Sequence, residues 1–192
     1  MDRKEPIHSL TLGALSGQHV LLLGPPGTAK SMLARAYSSY IEGSSHFSWL
    51  LTQYTTPDEI FGPVDIQAIK NGSFQRIVKG KLPVAHTAFI DEVFKGSSAI
   101  LNSLLSILQE RIYYNDGTHL ECPLLYAVGA SNELAEEDAG LEALYDRFLI
   151  RHHVTYLESD IDFLLLLQLQ AVASSVEHIT IQELLQARKQ SQ

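Results

Sequence analysis

Apolar residues along this chain follow two spacings. Short runs at residues 19–23, 47–51, 87–90, 124–130 and 149–154 are apolar almost throughout, as strands buried on both faces are. Between them, residues 30–40 and 99–109 carry apolar side chains at helical intervals, with Ile100, Leu101, Leu104, Leu105 and Leu108 on one stripe. Residues 6–16 read as a short helix weakened by Gly13, and 141–145 as another. Thr56-Pro57-Asp58-Glu59 reads as a helix start, with Thr56 as N-cap, Pro57 first in the helix and Glu59 as capping-box partner. Two hairpins are predicted. One joins 64–69 to 74–79 across Asn71-Gly72, and the other joins 112–115 to 118–121 across Asp116-Gly117. From about Ser159 onward, two helices without a recognisable motif are expected.

Main strands alternating with helices predict an α/β fold, a parallel sheet covered by helices on both faces. Ligands in such sheets bind at the carboxyl ends of the strands. Three polar signals lie there: Gly24–Ser31 after the first strand, Asp91-Glu92 after the third and Asn132 after the fourth. They are expected to converge on one site.

Gly24-Pro25-Pro26-Gly27-Thr28-Ala29-Lys30-Ser31 follows a buried strand and opens a helix. A loop in that position turns backbone N–H groups toward an anion, and the helix N-terminus adds its dipole. Lys30 suits the β- and γ-phosphates of a nucleotide, and the Ser31 hydroxyl suits Mg²⁺. Ala29 stands where the phosphate-loop pattern has glycine; because it begins a helix, an ordinary backbone φ is expected there. Asp91 is the expected second metal holder, and Glu92 the group that polarises an attacking water. Asn132 is read as an Asx turn at the strand exit, or as a carboxamide on the water or γ-phosphate. Arg147 pairs with a neighbour on a solvated face, or reaches a neighbouring subunit's phosphate as an arginine finger. Arg151 and Arg111 are lesser candidates for that role.

Composition narrows the classes. At 192 residues with 45% hydrophobic and 19% charged residues, the chain suits one soluble α/β domain. A net charge of −8 opposes a surface built for nucleic acid or anionic lipid. Residues 64–83 run against that balance, with Lys70, Arg76, Lys79 and Lys81 against Asp65. Lysine-protected edges explain this, and a loop that meets an acidic partner or polynucleotide is the sharper alternative. Cys122 is the single cysteine, which fits a reducing compartment. Met1–Glu5 lacks the apolar core of a signal peptide, and no run is long enough to span a bilayer. His152 and His153 would face opposite sides of a strand, so no metal role is assigned.

These residues resemble the AAA+ ATPases (P-loop NTPases), within them the MoxR family, and most closely its RavA-type branch (regulatory ATPase variant A). The resemblance spans about residues 10–158. It rests on Gly24–Ser31, Thr55–Pro63, Phe89–Glu92, Ile100–Arg111, Ala130-Ser131-Asn132-Glu133-Leu134 and Leu141–Arg151. Alanine before the phosphate-loop lysine is usual in that family. The resemblance implies Lys30 and Ser31 in Walker A, Asp91 and Glu92 in Walker B, Asn132 as sensor 1 and Arg147 as the finger. The hairpin at 64–79 would be the family's helix 2 insert, facing the pore of a ring. It also implies ATP or ADP with Mg²⁺, a homo-oligomeric, hexameric ring in the cytoplasm, and chaperone-like remodelling beside a von Willebrand factor A-domain partner. A lysine decarboxylase partner follows for the RavA-type branch alone, and the domains thought to reach it are not in this chain. Residues 1–157 are expected to form the nucleotide-binding core, and 158–192 the truncated start of a helical lid. No sensor 2 context surrounds Arg188, and the segment before Ile7 that helps frame adenine is expected to be short. Two other readings stay open: a nucleotide-binding switch with little hydrolysis, and a nucleic-acid motor resting on the four basic insert residues.

Overall fold

Strand β1 (Val20–Leu23) shows how the sheet is covered. All four residues are buried, yet Val20 and Leu22 join one apolar cluster while Leu21 and Leu23 join another. Successive strand side chains point to opposite faces, so an unbroken apolar run requires cover on both. The computed structural model describes residues 4–132, 139–156 and 177–190.

Five strands form one parallel sheet in the order β3-β4-β7-β1-β8, comprising β3 (His46–Leu50), β4 (Thr87–Asp91), β7 (Tyr126–Ser131), β1 and β8 (Ile150–His153). On one face, α5 (Ser98–Glu110) contributes Ile100, Leu101, Leu104, Ile107 and Leu108. Ile60 and Phe61 of α3 (Pro57–Phe61) and Leu144 of α6 (Ala139–Tyr145) pack beside it. The other face is covered by Leu10 and Ala14 of α1 (Lys4–Ser16), Ala34 of α2 (Lys30–Ser39) and Leu184 of α7 (Ile181–Gln190). Gly13 is a packing residue in α1: a Cβ there would meet Val20 Cγ2 at 2.4 Å. Two short strands, β2 (Ile41–Glu42) and β9 (Ile179–Thr180), pair parallel just before α7. α7 is one of the two helices expected beyond Ser159. The other, and Glu133 and Leu134 of the resemblance, lie outside the described residues.

The second hairpin forms as read, β5 (Ile112–Asn115) against β6 (Thr118–Glu121), with Asp116 and Gly117 both at positive φ, the turn that matches strand twist. The first expected hairpin does not. Residues 66–70 form a helical turn, α4 (Ile66–Lys70), capped by Asp65 Oδ1, which accepts from Gln67 N at 2.8 Å. Asn71-Gly72 ends this helix, with Gly72 N bonded to Ile69 O at 2.9 Å, and does not join two strands. The Val64–Arg76 bridge is all that pairs there. An Asp N-cap outweighed the β-branched pattern because no residue of 66–70 is buried, so no sheet face favoured the extended form.

Candidate active site

Gly24 leaves β1 at φ 147, and its N–H bonds Ser131 O of β7 at 3.1 Å. A Cβ there would meet Val154 O at 2.0 Å, so the loop can leave the sheet only on glycine. Buried Thr28 braces the turn through its hydroxyl to Pro25 O at 3.0 Å. Ala29 then takes φ 63, ψ 25, the left-handed region, and precedes α2 without a side-chain cap. The ordinary φ expected for Ala29 is therefore wrong. The position keeps the conformation that glycine favours, and alanine bears its strain. With no side-chain cap, α2 leaves its first N–H groups open to an anion.

Lys30 is buried, and its ammonium reaches Gly24 O at 2.7 Å, Pro25 O at 2.9 Å and Asn132 Oδ1 at 3.0 Å. Burial lowers its pKa, opposed by the charges of Asp91 and Glu92. Asp91 ends β4 beside Leu51, whose N–H bonds Asp91 O at 2.9 Å. Burial raises the pKa of Asp91, countered by the Glu92 N–H on its Oδ1 at 3.1 Å; the like charge of Glu92 adds to the rise, and Lys30 and Lys95 oppose it. Glu92 itself sits at φ 49, ψ 47, a second left-handed residue in the same site. Asn132 donates through Nδ2 to Glu92 Oε1 at 2.5 Å. Its carboxamide therefore bridges Lys30 and Glu92, which an Asx turn at the strand exit does not describe.

Ser31 and Asp91 line one cavity of about 600 Å³, together with Arg35, Trp49, Thr55 and Glu59. The three polar signals thus come together at the carboxyl ends of β1, β4 and β7, neighbours in the sheet. Glu59 also accepts from Thr56 N at 2.6 Å in the expected capping arrangement. Arg35 and Lys95 were absent from the sequence reading. Arg35 lies four residues after Ser31 on a helix, and Lys95 three after Glu92 on a 3₁₀ turn. That spacing was the available signal.

The arginines separate by position. Arg111 is half-buried and committed to Leu108 O and Gly17 O, the latter at 3.2 Å. Arg151 stacks over Tyr145 at 3.8 Å and donates to Phe148 O at 2.9 Å. Arg188 donates to Ala14 O at 2.7 Å and Leu125 O at 3.2 Å, at the amino end of β7. Arg147 precedes β8, whose first residue pairs with Val20. Four strand residues, about 13 Å at 3.3 Å each, separate that end of the sheet from Gly24. Arg147 Nε is buried without a hydrogen-bond partner among the described residues.

Two of the four basic insert residues are used internally. Arg76 pairs with Asp58 and donates to Gly62 O at 2.8 Å, and Lys81 donates to Glu59 O at 2.9 Å. Both satisfy carbonyls at the end of α3.

Residues 1–188 match the family described as the MoxR domain in the MoxR-vWA-beta-propeller ternary systems. An uncharacterized protein, MJ0079 of Methanocaldococcus jannaschii, is 44% identical over 96% of this chain and 48% of its own length. The chaperone MoxR1 of Mycobacterium tuberculosis is 27% identical over 78% of this chain and 40% of its own. The chain thus spans about half the length, or less, of these curated relatives. A crystal structure of a candidate ATPase from Cytophaga hutchinsonii shares the fold, with a TM-score of 0.73 at 22% identity over 97% of this chain and 57% of that one. With a family match across almost its whole length, the chain belongs to the MoxR family of AAA+ ATPases.

Proposed function

We propose that this chain binds ATP with Mg²⁺, hydrolyses it, and uses the turnover to remodel or activate a partner protein. The observation that carries the reading is the Lys30–Asn132–Glu92 bridge beside the cavity shared by Ser31 and Asp91. A loop, an ammonium, a carboxamide and two carboxylates at adjacent strand ends are the parts phosphoryl transfer needs, since its catalysis is positioning plus electrostatics.

Residues Gly24–Ser31 would cradle the phosphates, with Lys30 leaving the loop carbonyls for the β- and γ-oxygens. The Ser31 hydroxyl and Asp91 carboxylate are hard oxygen donors on one cavity, which suits Mg²⁺. When bound, that ion would offset phosphate charge. Glu92 would accept the proton of the attacking water, and Asn132 would hold that water or the γ-phosphate. Arg147 lies at the far end of its own sheet, so it could serve only a neighbouring copy's nucleotide, as a ring requires. In this reading the ring is a hexamer, and residues 158–192 begin its lid.

The family described for MoxR-vWA-beta-propeller systems supports a von Willebrand factor A-domain partner. Exposed Ile66, Ile69, Phe74 and Ile77 on the insert offer apolar contact for such a protein. A RavA-type assignment rests on the motifs alone. Among the described residues no helix is long and apolar enough to cross a membrane, and a cytoplasmic setting is part of the proposal. The test is ATP turnover against protein concentration for wild type and Glu92→Gln. Turnover per chain that rises with concentration and is lost in Glu92→Gln supports the reading. ATP binding without turnover at any concentration leaves the switch reading instead.

A further inference from the structure

We infer that Lys95 is a positioning residue for Glu92, an inference that rests on the hydrolytic reading above. Glu92 leaves β4 in the left-handed region, and residues Val93–Lys95 form a 3₁₀ turn closed by Lys95 N on Glu92 O at 2.8 Å. In such a turn residues three apart eclipse, which brings Lys95 back over Glu92. Its ammonium lies 3.2 Å from Glu92 Oε2. Val93, inside the turn, is fully buried in the core and anchors it. The Glu92 side chain is 12% exposed, and Oε2 is buried with no aligned hydrogen bond. The Lys95 contact is therefore a charge pair that sets where this oxygen sits.

The two carboxylate oxygens have separate holders, Asn132 on Oε1 and Lys95 on Oε2. Holding both ends of a carboxylate fixes its plane. The Asn132 holder is itself tied to Lys30, so a nucleotide that draws Lys30 away disturbs one side of the clamp. Lys95 has no bond to the phosphate loop among the described contacts, and its hold persists. Without it, Glu92 would swing about the Asn132 contact and misplace the water it polarises.

The experiment measures turnover and nucleotide affinity of the purified protein for wild type, Lys95→Ala, Lys95→Arg and Glu92→Gln. The expected result is a fall in kcat of about tenfold or more for Lys95→Ala, with nucleotide Kd unchanged and most of kcat restored by Lys95→Arg. Lys95 is half-exposed and a pair made by such a lysine adds little stability, so thermal melting stays close to the wild-type value. Unchanged kcat in Lys95→Ala overturns the proposal, as does Kd weakening in step with kcat, or no rescue by arginine. Turnover lost in Glu92→Gln but intact in Lys95→Ala overturns this proposal alone. No turnover in wild type overturns it together with the hydrolytic reading.

Discussion

Asn132 donates to Glu92 at 2.5 Å, across two neighbouring parallel strands. The same carboxamide accepts from Lys30, so one side chain senses both the phosphate-loop lysine and the proposed base. Asn132→Ala removes the Glu92 partner and one of three acceptors of Lys30, which keeps Gly24 O and Pro25 O. Turnover should fall by about 10²-fold, the cost of a misplaced catalytic group, while nucleotide affinity changes little. Paired kcat and Kd measurements check this.

Glu92→Gln keeps the size and the hydrogen-bond partner but loses the base. General-base loss typically costs about 10²–10⁴ in rate. The variant should bind ATP at wild-type affinity and turn over at least ~100-fold more slowly. A variant that binds poorly would place Glu92 in the binding machinery instead.

Arg147→Ala should reduce turnover by about 10³-fold, the lower range for an arginine finger supplied in trans. Because its own phosphate loop lies at the opposite end of the sheet, complementation should follow. Mixing Arg147→Ala with Glu92→Gln should restore part of the turnover, since one interface then holds an intact base and an intact finger. No recovery on mixing assigns Arg147 a role within its own chain.

Ala29 carries a left-handed φ that costs an L-residue about 1–2 kcal/mol. Glycine relieves the strain and gives part of it back as unfolded-state entropy. Ala29→Gly should therefore raise stability by about 0.5–1 kcal/mol, a few degrees in melting temperature for a domain of this size. Ala29→Val should lower it. Thermal melts of the three proteins decide.

His19 ties three elements together. Its Nδ1 accepts from Ala127 N and its Nε2 meets Leu108 O, both at 2.9 Å. Burial foremost, then the charge of Arg111, lowers its pKa to about 4. The unfolded chain, titrating near 6.5, binds the proton first as pH falls. Stability is thus full above about pH 6.5 and is lost as pH drops toward 4, by about 3 kcal/mol at 1.36 kcal/mol per unit. Urea denaturation at pH 7 and pH 5 should show about 2 kcal/mol of that loss, and His19→Gln should abolish most of the difference.

Strand positions along the chain, the main helices and the glycine-rich loop were legible in the sequence because each rests on local periodicity or a contiguous motif. Val20–Leu23 announced a strand covered twice, and Gly24–Ser31 announced a loop before a helix. Thr56 and Glu59 announced a helix start from four adjacent residues. The insert misled because its residues 66–70 bury nothing, so its alternating pattern had no core to answer to and Asp65 decided the conformation. Tertiary structure alone decided the rest. The backbone of Ala29 depends on how the loop folds back over the sheet, which no neighbour in sequence specifies. The pairing of Asn132 with Glu92 and Lys30 depends on β7 lying between β4 and β1, a strand order imposed by packing. The separation of Arg147 from Arg111 and Arg151 likewise depends on which carbonyls and rings surround each one. Local physics chose the elements and the kind of chemistry, and long-range packing chose which side chains meet to carry it out.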